Sequence, residues 1–113
     1  MIKVTFYKFK NLIIGFEISG HSGYDDFGRD IVCSAISTSS QQTVVGIKDV
    51  LKIKSNFQID EKKALLKFKL SKSIKIEEIE KAQCFFEAFE ITVRDIEKQY
   101  SKYVKLEVKD EIY

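Results

Sequence analysis

Proline is absent from this 113-residue chain, and glycine occurs only five times. Chain reversals must therefore be set by glycine, asparagine, serine and aspartate. Cysteine is scarce too, at two residues, which is too few for a disulfide scaffold. Nothing at the N-terminus resembles a secretory signal, and the apolar runs are far shorter than a membrane span. A cytoplasmic location fits these absences, and there a cysteine stays available as a thiol. Charge of one sign is also lacking: 19 basic residues face 17 acidic ones, a formal +2, which gives no ground for a direct nucleic-acid partner. The single histidine and the widely separated Cys33 and Cys84 lack the compact spacing of metal ligands. No Cys-x-x-Cys pair, phosphate loop or dinucleotide-binding glycine pattern occurs, so no cofactor is expected.

What remains is ordinary for a globular chain, with 44% hydrophobic and 32% charged residues, and its length suits one domain over residues 1–113. Residues 2 to 9 alternate, with Ile2, Val4 and Phe6 on one face. Leu12, Ile14, Phe16 and Ile18 share a face of a second strand, so residues 2 to 18 read as a hairpin turning near Asn11. Gly15 breaks the other face and marks a bulge or a close backbone contact. From Cys33 to about residue 51 the period becomes helical, through Ile36, Ser40, Val44, Ile47 and Leu51. Its serines and threonines make it a poor helix by propensity, so packing must hold it.

A second hairpin follows, with Ile53, Ser55, Phe57 and Ile59 on one face of its first strand and Leu66, Phe68 and Leu70 on the second. Residues 76 to 101 carry a helical stripe of Ile79, Ala82, Phe86, Phe89, Val93, Ile96 and Tyr100. Phe85 falls off that stripe, which suits either a wider buried face or a partner contact. Cys84, beside two phenylalanines, reads as core or partly buried packing. Val104, Leu106 and Val108 alternate in a closing strand. The order ββαββαβ predicts an α+β fold: a two-layer α/β sandwich of one mixed or antiparallel sheet with two helices on one face. The opposite face, rich in lysine, is left to solvent.

Residues 19 to 30 follow neither period and exceed the usual link between elements. They hold the only histidine, His21, and three glycines, and they lead to Cys33. A thiol at a helix start meets unpaired backbone N–H groups and the positive end of the dipole, which favour the thiolate and a developing oxyanion. His21 can reach the sulfur across the loop as a proton-transfer partner. Asp30 either orients the imidazole or caps the helix.

The stretch Gly20-His21-Ser22-Gly23-Tyr24, with Gly28-x-Asp30-Ile31-Val32-Cys33-Ser34-Ala35-Ile36-Ser37, closely resembles the bacterial ribosomal-processing cysteine protease family. Strand order, length and the acidic-rich second helix extend the resemblance over essentially the whole chain. It implies a cytoplasmic homodimer with an α/β sandwich fold. The implied activity removes a short N-terminal extension from ribosomal large-subunit protein twenty-seven, cutting after two phenylalanines and before an alanine. By the same resemblance Cys33 is the nucleophile, His21 its partner, and Asp30 the acidic residue before the nucleophile. Ser22, Gly23, Tyr24, Asp25, Asp26, Phe27, Gly28 and Arg29 correspond to the family's mobile loop over the active site. A membrane partner is not expected. Two other readings use the same residues: a non-enzymatic ribosome-assembly protein, which an intact Cys33–His21 pair opposes, and a thiol hydrolase of small esters or amides, which requires a closed pocket.

Overall fold

The first hairpin is built around one tight turn and one irregularity. In the computed structural model, β1 (Ile2–Phe9) and β2 (Leu12–Ser19) pair antiparallel, closing on Phe9 opposite Leu12. Lys10 and Asn11 between them both have positive φ, 51° and 66°, the two-residue geometry that follows strand twist and that asparagine tolerates well. The structure describes residues 1–20 and 27–111, with only the backbone described at 27–30. The register slips after Tyr7, which faces Gly15 while Lys8 faces Ile13, so Ile14 is the extra residue of a bulge. The bulge allows consecutive Ile13 and Ile14 both to be buried. Gly15 beside it fits a close approach as well, since a Cβ there would lie 2.5 Å from the Phe68 carbonyl oxygen.

The remaining elements are α1 (Phe27–Val44), a π-helical turn (Val45–Val50), β3 (Ser55–Asp60), β4 (Leu65–Leu70), α2 (Ile76–Gln99) and β5 (Val104–Asp110). The five strands form one mixed sheet in the order β3-β4-β2-β1-β5. Only the β1–β5 pair is parallel. The sheet and the two helices make the two layers that the element order implies.

Phenylalanines tie the layers together. Register places Phe57, Phe68, Phe16 and Phe6 in one row across four strands. On α2, Phe89 meets Phe16 and Phe6 at ring separations of 4.9 and 5.5 Å, while Phe86 meets Phe68 and Phe16 at 6.1 and 6.3 Å. These are the tilted and edge-on geometries that aromatic quadrupoles favour. Gln83, also on the buried face of α2, accepts from the Ile13 N–H and donates to the Ile13 carbonyl, both at 2.8 Å. It thereby satisfies the Ile13 backbone, which lies beyond the last β2–β4 pair, Gly15 with Lys69.

The outer face of the sheet is polar, as expected, though not uniformly exposed. Tyr7 lies across from Gly15, its hydroxyl donating to Glu17 and its ring beneath Lys69 at 4.9 Å and Lys67 at 5.8 Å. Burial first, then the hydrogen bond to Glu17 and the negative charges of Glu17 and Glu111, push the Tyr7 phenol above its ordinary value.

Two expectations from the sequence need correction. The first helix begins at Phe27 rather than Cys33, so Phe27, Gly28 and Arg29 are helical rather than loop in their backbone. No apolar stripe marks those first turns, which is why periodicity starts the helix late. Cys84 is exposed rather than packed in the core. It lies next to buried Gln83 in sequence but about 100° around the helix from it, so neighbouring phenylalanines say nothing about its face. Phe57 and Ile59 on β3 remain 38% and 60% exposed. Phe85, left open by its spacing, serves a wider buried face. Its ring fills the space where Gly46 has no Cβ, at the π-helical turn closed by the Leu51 N–H donating to the Gly46 carbonyl.

Candidate active site

Cys33 lies in the second turn of α1, half-buried, between fully buried Val32 and exposed Ser34. Its side chain packs on the edge of the hydrophobic core, and it forms no disulfide. The buried stripe of α1 runs through Val32, Ile36, Ser40 and Thr43, and Ile47 continues it in the π-helical turn. Cys33 sits just off this stripe, so one side of its sulfur rests on core and the other is open.

α1 is helical already at Phe27, six residues before Cys33. Cys33 therefore lies about 9 Å along the axis from Phe27. The expected pairing of Cys33 with the helix end is therefore corrected, and oxyanion donors from that end do not sit at Cys33. Asp30 is the fourth residue of the helix, not its cap, so the capping alternative falls away. Three positions before Cys33, Asp30 occupies a neighbouring place on the same side of α1.

The chain approaches this region through Gly20. Its φ is +80°, its N–H donates to the Ala64 carbonyl at 3.2 Å, and a Cβ would run into the Met1 carbonyl oxygen. A side chain there is excluded both by conformation and by space. Gly20 thus fixes the end of β2 against both the N-terminus and the β3–β4 turn. The next residue, His21, lies outside the described residues, as do Ser22, Gly23, Tyr24, Asp25 and Asp26. Of the sequence-selected site, the structure places Cys33 in full and the backbone of Phe27, Gly28, Arg29 and Asp30.

On the opposite flank of α1 a groove of about 300 Å³ runs between the helices, lined by Ser39, Gln42, Thr43, Cys84, Ala88 and Thr92 among others. Its thiol is Cys84, which donates to the Lys81 carbonyl at 3.2 Å. The groove lies away from Cys33 and contains none of the expected site residues. Among the described residues, no three His, Cys, Asp or Glu side chains gather as a metal site requires, and no helix is long and apolar enough to cross a membrane.

Comparison with known proteins bears on this site directly. The family model for cysteine protease Prp matches residues 1–105, which include the whole stretch from Gly20 to Ser37. Among solved structures, SMU.848 from Streptococcus mutans is 28% identical with a TM-score of 0.86, the match covering 98% of this chain and 96% of that one. An essential ribosomal processing protease, Prp from Staphylococcus aureus in complex with a substrate peptide, is 18% identical with a TM-score of 0.83 over 96% of this chain and all of that one. The same S. aureus enzyme with a covalently linked product peptide gives 20% identity and a TM-score of 0.79, with the same coverage. At those identities the S. aureus structures speak for the fold. No curated protein matches the sequence.

Proposed function

The chain belongs to the cysteine protease Prp family, and from that premise we propose that it is a single-domain endopeptidase that trims the N-terminal extension of ribosomal large-subunit protein twenty-seven. In this reading the cut falls after two phenylalanines and before an alanine. The observation that carries the reading is the family match across residues 1–105, with the half-buried thiol of Cys33 inside it. The structurally similar S. aureus enzyme is a ribosomal processing protease that has been seen with a substrate peptide and with a covalently linked product peptide. A cytoplasmic homodimer belongs to the same proposal.

The chemistry assigns each group a step. His21 takes the Cys33 proton, and the sulfur attacks the scissile carbonyl carbon, forming a C–S bond as the carbonyl π pair moves to oxygen. Collapse of that tetrahedral species breaks the C–N bond, and His21 returns the proton to the leaving amine. Water, deprotonated by His21, then cleaves the thioester and restores the thiol. Asp30 orients the imidazole. Residues 22–29, Ser22 through Arg29, close over the peptide, with the last three moving as the first turn of α1 rather than as loop.

Mass spectrometry of the precursor after incubation tests the reading. Wild type should release the extension at one bond, Cys33→Ala should release none, and His21→Ala should lose most turnover. Release by Cys33→Ala would overturn covalent catalysis at this residue. Sedimentation at micromolar concentration should return twice the 13.1 kDa chain mass; a single-chain mass would remove the dimer from the proposal.

A further inference from the structure

The sheet has two edges, and the fold treats them differently. At β5 the Leu106 N–H turns away from β1 and donates to the Glu97 carboxylate of α2 at 2.7 Å. A strand approaching that edge meets an acidic side chain where it needs a donor, and β5 also carries Lys105, Glu107 and Lys109. Among the described residues, nothing caps β3 in this way. That strand shows Phe57 and Ile59 to solvent, 38% and 60% exposed. An open strand edge with apolar side chains is a place where another strand adds.

The existing ladder fixes which backbone groups are free. The Lys54 carbonyl accepts from the Ser71 N–H at 2.9 Å, which extends the β3–β4 pairing by one residue beyond Ser55 and Leu70. Antiparallel pairs alternate, so Lys54, Asn56, Gln58 and Asp60 direct their N–H and C=O groups toward β4. Ser55, Phe57 and Ile59 direct theirs outward, in one line along the free edge.

This edge is complementary to itself. A two-fold axis through Phe57, perpendicular to the sheet, lays a second copy of β3 antiparallel to the first. Phe57 then faces its counterpart, and Ser55 of each copy faces Ile59 of the other. Each of these facing pairs exchanges two hydrogen bonds, so every outward group is satisfied. On the outer face the same register sets Lys54 against Asp60 at both ends, with Asn56 against Gln58 between them. Opposite charges directly across a strand pair are stabilising. Displacing the register one way opposes Lys54 to Lys62, and displacing it the other way opposes Lys54 to Gln58. Either displacement also loses one hydrogen-bonded pair.

We propose that two copies of this chain join through their β3 edges into one continuous sheet, in the register centred on Phe57. The proposal supplies the interface of the homodimer and rests on that reading; it is independent of the role of Cys33. Both helix layers then lie on the same side of the joined sheet.

Cross-linking reads the register. In a Cys33→Ser/Cys84→Ser background, Asn56→Cys and Gln58→Cys are prepared as separate proteins. Mixed under mild oxidation, they should form a disulfide-linked pair, because facing residues that exchange no hydrogen bonds have Cα atoms about 4.5 Å apart. Stronger cross-linking of either protein alone than of the mixture would overturn this register. Sedimentation reads the charges. Lys54→Glu or Asp60→Lys alone should weaken the dimer about tenfold or more, and an equimolar mixture of the two should regain the parent affinity. That recovery also shows that both variants fold. A dimer of parent strength in each charge variant, with no cross-link in the cysteine mixture, would overturn the β3 interface and leave the homodimer standing. If the parent protein sediments as a single chain, the homodimer reading fails and the interface falls with it.

Discussion

Over β1 and β2 the helix-facing side of the sheet is closed by α2, whereas over β3 the same side is left open. The closed half stacks Phe6, Phe16 and Phe68 against Phe86 and Phe89, all buried. Its buried polar groups are partnered: Gln83 holds Ile13, and Glu90 pairs with Arg94 at 2.9 Å and Lys8 at 3.9 Å. In the open half the phenylalanine row runs out to half-exposed Phe57, and Ser55 Oγ has no partner among the described residues. One continuous apolar surface is thus sealed at one end and left uncovered at the other.

The largest expected effect breaks function and spares the closed half. Cys33→Ala should bring peptide cleavage below detection with little change in the urea midpoint, because removing one half-buried sulfur opens no large cavity. A large loss of stability would show that Cys33 is a core residue. Next come the phenylalanines as a matched pair. Phe86→Ala should destabilise by about 3–5 kcal/mol, as large-to-small changes of buried aromatics do, and Phe57→Ser by less than about 1 kcal/mol, as surface changes do. Similar losses in urea denaturation would erase the contrast between the halves.

Smaller still is the polar clamp. Gln83→Ala leaves the Ile13 N–H and carbonyl buried without partners, a loss of about 2–3 kcal/mol. Gln83→Glu keeps an acceptor for the N–H but offers no donor to the carbonyl at neutral pH, so it should recover only part of that loss. Equal stability of all three proteins would mean that water replaces the amide.

The smallest effect lies on the outer face and appears only in alkali. Tyr7 holds its phenolic proton more tightly when folded than when unfolded, where tyrosine titrates near 10. Its contribution is therefore complete below about pH 10 and declines as pH rises beyond that value. Urea midpoints followed from about pH 9 to 11 should fall more steeply for wild type than for Tyr7→Phe. Parallel curves would show that the phenol sits in water.

Most of this architecture is legible in residue order, and the failures share a cause. Alternation at 2 to 9 and the 79–82–86–89–93 stripe mark elements buried along one face, and those stand where periodicity puts them. Periodicity has nothing to say about the start of α1, because residues 27 to 31 carry no repeating apolar face. Nor can it tell an edge strand from a central one: Phe57 and Ile59 alternate as a core face should, and only the sheet order leaves them uncovered. Cys84 shows that neighbours along a helix are not neighbours in space: it is exposed beside half-buried Phe85 and buried Gln83. For the site, Cys33 was selected from its company of His21, Asp30 and glycines, a pattern of residue types that needs no periodicity. The position of that thiol in the second turn depended on the helix start, and so was lost with it.

The parallel pairing of β5 with β1 has a consequence in time. β1 is the fourth of five strands in the sheet, and its second neighbour is supplied by residues 104–110, roughly a hundred positions later in the chain. Contacts of such separation form late, since closing the intervening loop carries an entropic cost that local hairpins avoid. During synthesis the first hairpin therefore emerges with an apolar strand edge unpaired, and it stays so until residues 104–110 have been made. A nascent chain stopped at residue 103 would retain every residue assigned to catalysis yet lack the strand that seals β1. Proteolytic competence should thus require that last strand, since without it β1 keeps an open edge beside the hairpin that leads to the candidate site.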